Sequence, residues 1–434
     1  MFGLICLLLS SLSGSALAEG FAMTEWSARG LGLAGGLVGR ADDPSALAYN
    51  AAGITQLPGT QIMGGVSIIA PYGSIEADYA GGRTHTTHVK PDFWMPFHGY
   101  LTHQYNDNVW FGLGIFTRFG LGNSYDGDWF GRYNIYDVAL QTVSVVPTVA
   151  YKINDMFSVS LGVEAMYLHL YEGIKVPTAS PKMMGPQIVG LNQGPDTDLQ
   201  VEGQGIGFGI HAGLHMRFNE QWSAGLAYKS QVTQNVYGDA EFSPQGNNLL
   251  STLGQTPKAY NSGVSGTVQL PDSLAFGVAW KPLDNLSFEV GGIWTRWSTY
   301  NSLNIYFDHP SGYRSISEKS WKDGWNFNAS VECKPVDWLA LRLGFWHETP
   351  VVDAAHADYM LPTNGRDVLT LGTGFKWNDW TLDLAYAHIW IYPVSYDETD
   401  GSGIRGNAFN GGVTGGKSKN SHANMYSVSL GYTF

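Results

Sequence analysis

Few side chains in this sequence stand at a spacing that does covalent chemistry. His85 and His88, in His-Thr-Thr-His, have an i, i+3 spacing that would present two imidazoles together on a helix. They fall in a loop-like stretch with no third ligand beside them, so no metal site is expected. His98, His103, His169, His211 and His215 are scattered and no serine nucleophile motif accompanies them. No phosphate-cradling glycine loop follows a strand, and no cofactor is expected. Cys6 lies in the apolar N-terminal run, which leaves Cys333 without a disulfide partner. It reads as a small apolar strand residue. The expectation is a binding or transport protein rather than an enzyme. The net charge of −13 argues against nucleic acid as a partner.

The elements that would position a binding site are strands. Residues 1–18 form a short apolar run ending in Ala16-Leu17-Ala18, the small-x-small end of a secretory signal, with cleavage expected after Ala18. Beyond it no stretch is long and apolar enough for a helical span. Instead, alternation with a period of two recurs. Phe157, Val159, Leu161 and Val163 alternate with Ser158, Ser160, Gly162 and Glu164; Leu339, Leu341, Leu343 and Phe345 alternate with Ala340, Arg342 and Gly344. A strand crossing an outer membrane needs only about 9–11 such residues, apolar ones to lipid and small or polar ones to the lumen.

Fourteen segments carry this pattern: 60–71, 92–105, 108–119, 137–152, 156–171, 204–218, 221–234, 271–282, 285–300, 321–334, 337–348, 366–377, 379–392 and 423–434. Their connections alternate between short turns, such as Asn106-Asp107 and Asn154-Asp155, and long loops, such as 172–203 and 235–270. That is the asymmetry of a transmembrane barrel with periplasmic turns and extracellular loops. The chain closes on Tyr426-Ser-Val-Ser-Leu-Gly-Tyr-Thr-Phe434, like the closing strand read by the barrel assembly machinery. Trp294, Trp297, Trp321, Trp325, Trp338 and Trp390 fall near expected strand ends, as in interfacial girdles. The fold expected is all-β: a 14-stranded antiparallel outer-membrane barrel over 59–434, in the Gram-negative outer membrane.

Ahead of the barrel, residues 19–58 are rich in Gly and Ala and follow neither a helical nor a strand period. A compact, apolar, irregular segment before a series of strands suggests a hatch in the lumen. Its Gly20-Phe21, Gly30-Leu31-Gly32, Asp42-Asp43 and Asn50-Ala51-Ala52 resemble the hatch of the outer-membrane long-chain fatty acid transporters, a family that includes aromatic hydrocarbon importers. Where that family usually has Asn-Pro-Ala, this chain has Ala51 in place of the stiffening proline.

The resemblance implies three places of function. Phe21 corresponds to an apolar residue lining an internal ligand pocket. Gly120, in Phe119-Gly120-Leu121-Gly122, matches a kink in the third strand that opens the wall beside the Asn50-Ala51-Ala52 turn. A basic pair that grips a carboxylate aligns with Ile174, next to Lys175, and with Ser317, two residues before Lys319. A two-residue offset keeps the strand face and a one-residue offset does not. The loops 172–203 and 235–270, with Met183, Met184, Ile188, Leu249, Leu250 and Leu253, match the family's external capture groove. The expected function is passive, ligand-gated diffusion of long-chain fatty acids, or of another hydrophobic small molecule, with exit through the wall. The alternatives are uncharged aromatic hydrocarbons on the same fold, or an outer-membrane lipase or esterase. The expected state is a monomer surrounded by outer-membrane lipids.

Overall fold

The computed structural model describes residues 20–309, 313–352, 354–362, 364–396 and 412–434. The signal sequence expected at 1–18 lies outside them. Fourteen antiparallel strands close into a barrel. They are β1 (Thr60–Tyr79), β2 (Phe97–Gln104), β3 (Val109–Phe116, resuming as Gly120–Ser124), β4 (Asp137–Lys152), β5 (Phe157–Val176) and β6 (Thr197–Arg217). Then follow β7 (Trp222–Lys229 and Val232–Ser243), β8 (Ser262–Leu270 and Ser273–Leu283), β9 (Leu286–Thr295) and β10 (Gly324–Val336). The last four are β11 (Leu339–Glu348), β12 (Arg366–Trp377), β13 (Trp380–Ile391) and β14 (Val413–Thr433). Consecutive strands pair, and β14 returns to β1 over a register running from Gln61↔Thr433 to Tyr79↔Val413. Closure joins the first strand to the last, the condition for strands to cross a bilayer without an open edge.

The alternation has the expected sense. In β5, Leu161, Val163 and Tyr167 are exposed, whereas Ser158, Ser160, Gly162, Glu164 and Met166 are buried. In β11 the exposed set is Leu341, Leu343 and Phe345, and Arg342 points inward. Cys333 lies on β10 and is a free thiol. Trp325, Trp338 and Trp390 are exposed as girdle residues should be, but Trp297 and Trp321 are buried. They turn inward into the site described below.

Several strands outrun their expected ends. β6 starts at Thr197 rather than 204, and β14 starts at Val413 rather than 423. The supposed loop 72–91 contains the end of β1 and the strand Arg83–His88 paired to it. In these extensions apolar residues such as Ile75, Ala77, Leu199 and Val201 face inward and the outer face turns polar, so the lipid-facing apolar set ends while the hydrogen bonding persists. β5 has 20 residues, about twice the 9–11 of a membrane span. Its last turns of pleat, with Glu172, therefore stand outside the bilayer.

Residues 20–58 are almost wholly buried and touch the inward side of the strands. Their regular pieces are two short helical turns, Ala28–Gly32 and Ala46–Tyr49, and a 3-10 turn, Ala51–Gln56. Glycines let them approach the wall. A Cβ on Gly32 would come within 2.9 Å of the Gly372 Cα on β12.

Candidate functional site

The site grows from a break in β3. After Phe116 the strand leaves the ladder and resumes at Gly120, and residues 21–23 take up the freed backbone groups. The Met23 N–H donates to the Arg118 carbonyl at 2.8 Å, and the Gly120 N–H donates to the Phe21 carbonyl at 3.1 Å. Ala22 and Phe119 form an antiparallel bridge. A Cβ on Gly120 would meet the Met23 sulfur at 2.8 Å, so the glycine allows this close approach. Beside the break, a cavity of about 310 Å³ is lined by Met23, Glu25, Trp94, Gly120, Leu140 and Ile389. Arg118 stands at the break, buried, with Nη1 2.5 Å from Glu164. It also donates to the Ser230 and Pro271 carbonyls at 3.4 Å, where β7 and β8 are interrupted. Pro271 has no N–H to give a ladder, which explains the second interruption.

The same three residues place Phe21 inside a cage of rings. Phe21 is 4% exposed. It meets Trp297, Tyr300, Trp321 and Phe119 edge to face, with centroids at 4.7, 5.6, 5.7 and 6.1 Å. Edge-to-face pairs of this kind each add about 0.5–1.5 kcal/mol beyond the area they bury. Leu168, Leu170, Val268 and Leu303 complete the apolar surround.

Toward the outer end the surround becomes polar. Lys319 is 2% exposed. Its ammonium is bonded to Asp358 and lies 3.9 Å from the Met360 sulfur. Burial alone would depress this ammonium, but Asp358, with help from Tyr300 and Glu172, more than offsets that and holds its pKa up. Above it opens a cavity of about 580 Å³, lined by Glu172, Lys175, Leu199, Ile305, Asp358 and Met360 among others. Lys175 lies three residues on from the inward-facing Glu172. Its ammonium bonds Asp198 at 3.2 Å and sits 4.9 Å from the centre of the Tyr136 ring.

The rest of the N-terminal segment is tied down by ions. Arg29 reaches Asp42 at 2.7 Å, Asp43 at 2.8 Å and Glu332 of β10 at 3.1 Å. Glu332 also takes Arg342 at 2.6 Å, and Arg342 takes Asp383 at 2.6 Å. Glu289 of β9 accepts the N–H groups of Val38, Gly39 and Arg40, all at 2.9 Å.

With this geometry in place, comparison with known proteins is informative. The family described as "Outer membrane protein transport protein (OMPP1/FadL/TodX)" matches residues 9–434. The chain belongs to this family. It is an outer-membrane transport barrel. A long-chain fatty acid transport protein of Escherichia coli O6:H1 is 23% identical over 410 residues, covering 90% of this chain and 91% of its own. A Pseudomonas aeruginosa FadL homologue superposes with a TM-score of 0.81 at 18% identity, covering 96% of this chain and 100% of its own. The Ralstonia pickettii toluene transporter TbuX superposes at 0.63 with 18% identity, covering 90% and 94%. At these identities the two structures establish the shared fold.

For a FadL/TodX-family barrel, the placement of the expected residues differs in detail. Phe21 and Gly120 are brought together, through the bond between their backbones. The Asn50-Ala51-Ala52 turn is bound elsewhere. Asn50 Nδ2 donates to the Val38 carbonyl at 2.9 Å and to the Leu214 carbonyl of β6 at 3.1 Å, and Ala52 lies against Gly213. It is Phe21–Met23 that closes on Gly120. Lys319 lies inside, and Lys175, despite its odd offset, also lines the outer cavity, because the inward–outward alternation of β5 is interrupted at Glu172-Gly173, which are both buried. The loop 172–203 folds as a hairpin, Ala179–Met184 with Gln187–Gln193. Met183, Met184, Ile188, Val189 and Leu191 are exposed on it. In 235–270 Leu250 is buried and Leu253 exposed. Sequence reasoning missed Glu172, Asp358 and Arg118. Only the pairing of distant strands draws attention to them.

Proposed function

We propose that this chain carries long-chain fatty acids across the outer membrane by passive, ligand-gated diffusion, with residues 19–58 as the hatch and exit through the wall at Gly120. The observation that carries this reading is the double role of residues 21–23. They complete the interrupted strand at Gly120, and they hold Phe21 in the ring cage. A ligand that displaces Phe21 therefore pulls on the segment that seals the wall. Capture begins on the exposed apolar hairpin at Met183 and Ile188. The tail then packs against the rings and the apolar surround of Leu168 and Val268. No energy source is required: a ligand that prefers the displaced state of residues 21–23 shifts the population toward it. In this reading the protein is a carrier and not a catalyst.

A second ligand class, uncharged aromatic hydrocarbons, is favoured by one specific observation. Lys319, two residues beyond the position that aligns with the family's carboxylate-gripping base, already has Asp358 as its counter-ion.

The test is Gly120→Trp. An indole there pushes the Met23 sulfur aside and fills the cavity beside the break. Cells carrying it should lose uptake of a labelled long-chain fatty acid, while the purified barrel still binds it. Uptake at the unaltered rate would refute the exit at Gly120.

A further inference from the structure

The outer cavity holds a buried acceptor that nothing among the described residues uses. Glu172 is 7% exposed, and its Oε1 has no hydrogen-bond partner there. Leaving a buried polar atom unsatisfied is costly, and more so for a charged one. Such an atom in a native site calls for an explanation. Glu172 lines the cavity of about 580 Å³ beside Asp358 and Met360, with Val201 and Leu303 as apolar walls.

Most charges around it oppose an anionic ligand; His356 also lines the cavity, with an Nδ1 that has no partner among the described residues and can serve either kind of head. Lys319 is committed to Asp358, and Lys175 to Asp198. Glu172, Glu318 and Asp358 all line the cavity. A carboxylate head would find each of these two bases occupied and an unpaired carboxyl oxygen facing it. Burying an uncompensated charge there costs more than a neutral group would. A neutral O–H group would find an acceptor waiting.

We propose that this cavity receives the ligand's head group as an uncharged hydrogen-bond donor, with Glu172 Oε1 accepting from the hydroxyl of a long-chain alcohol or of a fatty acid in its protonated form. The inference rests on the reading of the protein as a carrier of long-chain molecules, and it specifies the state in which the head is bound. For a fatty acid, the carboxylate takes up one proton from solvent as it enters, and its O–H then donates to Glu172. No covalent bond of the protein changes.

The groups facing Glu172 agree with this sense. Burial pushes its carboxyl up to about 7; Lys319 acts to lower it and Asp358 to raise it. Tyr300, packed on the same side, is also pushed up to about 12 by burial, with Lys319 opposing and Asp358 and Glu172 adding. Above pH 7 Glu172 is ionised and repels a carboxylate head, so fatty acid binding weakens as pH rises through this range. An alcohol carries no such charge.

The test is displacement of a fluorescent long-chain fatty acid from the purified, detergent-solubilised full chain by hexadecanol, hexadecanoate and hexadecane. At pH 8 hexadecanol should compete about tenfold more strongly than either of the others. Hexadecanoate should regain strength as the pH is lowered to 6. Glu172→Leu should bring hexadecanol down to the level of hexadecane. Glu172→Gln keeps an accepting oxygen and should preserve the preference for the alcohol, which separates loss of the acceptor from loss of folding. Hexadecanoate binding more tightly than hexadecanol at pH 8, or an alcohol preference that survives in Glu172→Leu, overturns the inference while leaving the carrier reading intact. Failure of all three long-chain compounds to displace the probe overturns both.

Discussion

The two halves of the N-terminal segment are held by different physics. From Ser27 onward it is bound by buried ions and by backbone donors to Glu289, with Glu332 bridging Arg29 to Arg342. From Gly20 to Met23 it is held by two backbone hydrogen bonds at the broken strand and by ring packing around Phe21. Breaking a buried ionic network leaves charges stranded without partners, which is expensive. Exchanging ring contacts with Phe21 for contacts with an apolar ligand costs little, because one apolar surface replaces another. The lesson is a division of labour. In the proposed mechanism the ion-bound part stays in place and the tip is exchanged.

Three substitutions probe this contrast, in decreasing order of effect. Glu332→Ala takes from Arg29 and Arg342 the carboxylate they share, leaving them Asp42, Asp43 and Asp383, and should destabilise the protein by about 1–3 kcal/mol. Denaturant unfolding of the purified barrel measures it, and an unaltered midpoint would show that the ions do not anchor the segment. Phe21→Ala should act on the ligand instead, strengthening binding of a fluorescent fatty acid about tenfold, because the ligand no longer has to displace one good apolar contact from the cage. A loss of stability as large as that of Glu332→Ala would erase the distinction between tip and base. Lys175→Ala removes a partly exposed pair of the kind worth about 0–1 kcal/mol. Fatty acid affinity should change by less than about fivefold in a titration. A larger loss would make Lys175, rather than the interior around Lys319, the principal contact for the head group.

Much of the barrel is legible in the amino-acid order, because the bilayer imposes its demand locally. Phe157 to Tyr167 alternate since every second residue faces lipid, and only neighbours along the chain are needed to see it. The upper parts of β6 and β14 are not legible in this way, since above the membrane the outer face turns polar, and the apolar residues of β6, Leu199 and Val201, face inward. Phe21 and Gly120 stand out by resemblance, but the bond that joins them does not. Trp297 and Trp321 resemble girdle residues in sequence and are cage residues in the fold. A tryptophan at a strand end carries no mark of which side it will take.

The number of strands, their sense across the membrane, the side of the long loops and the irregular segment ahead of them all follow from the chain's own residue pattern. Each of these is a property of short windows, set by which side chains tolerate lipid and where the backbone can turn. Closure of the barrel was needed to neutralise Lys319 with Asp358, to bring Arg118 to carbonyls on two other strands, and to leave Glu172 facing a cavity with a free oxygen. Those outcomes depend on residues far apart in the chain. The strength of a buried charge is set by its neighbours in space, which no local pattern records.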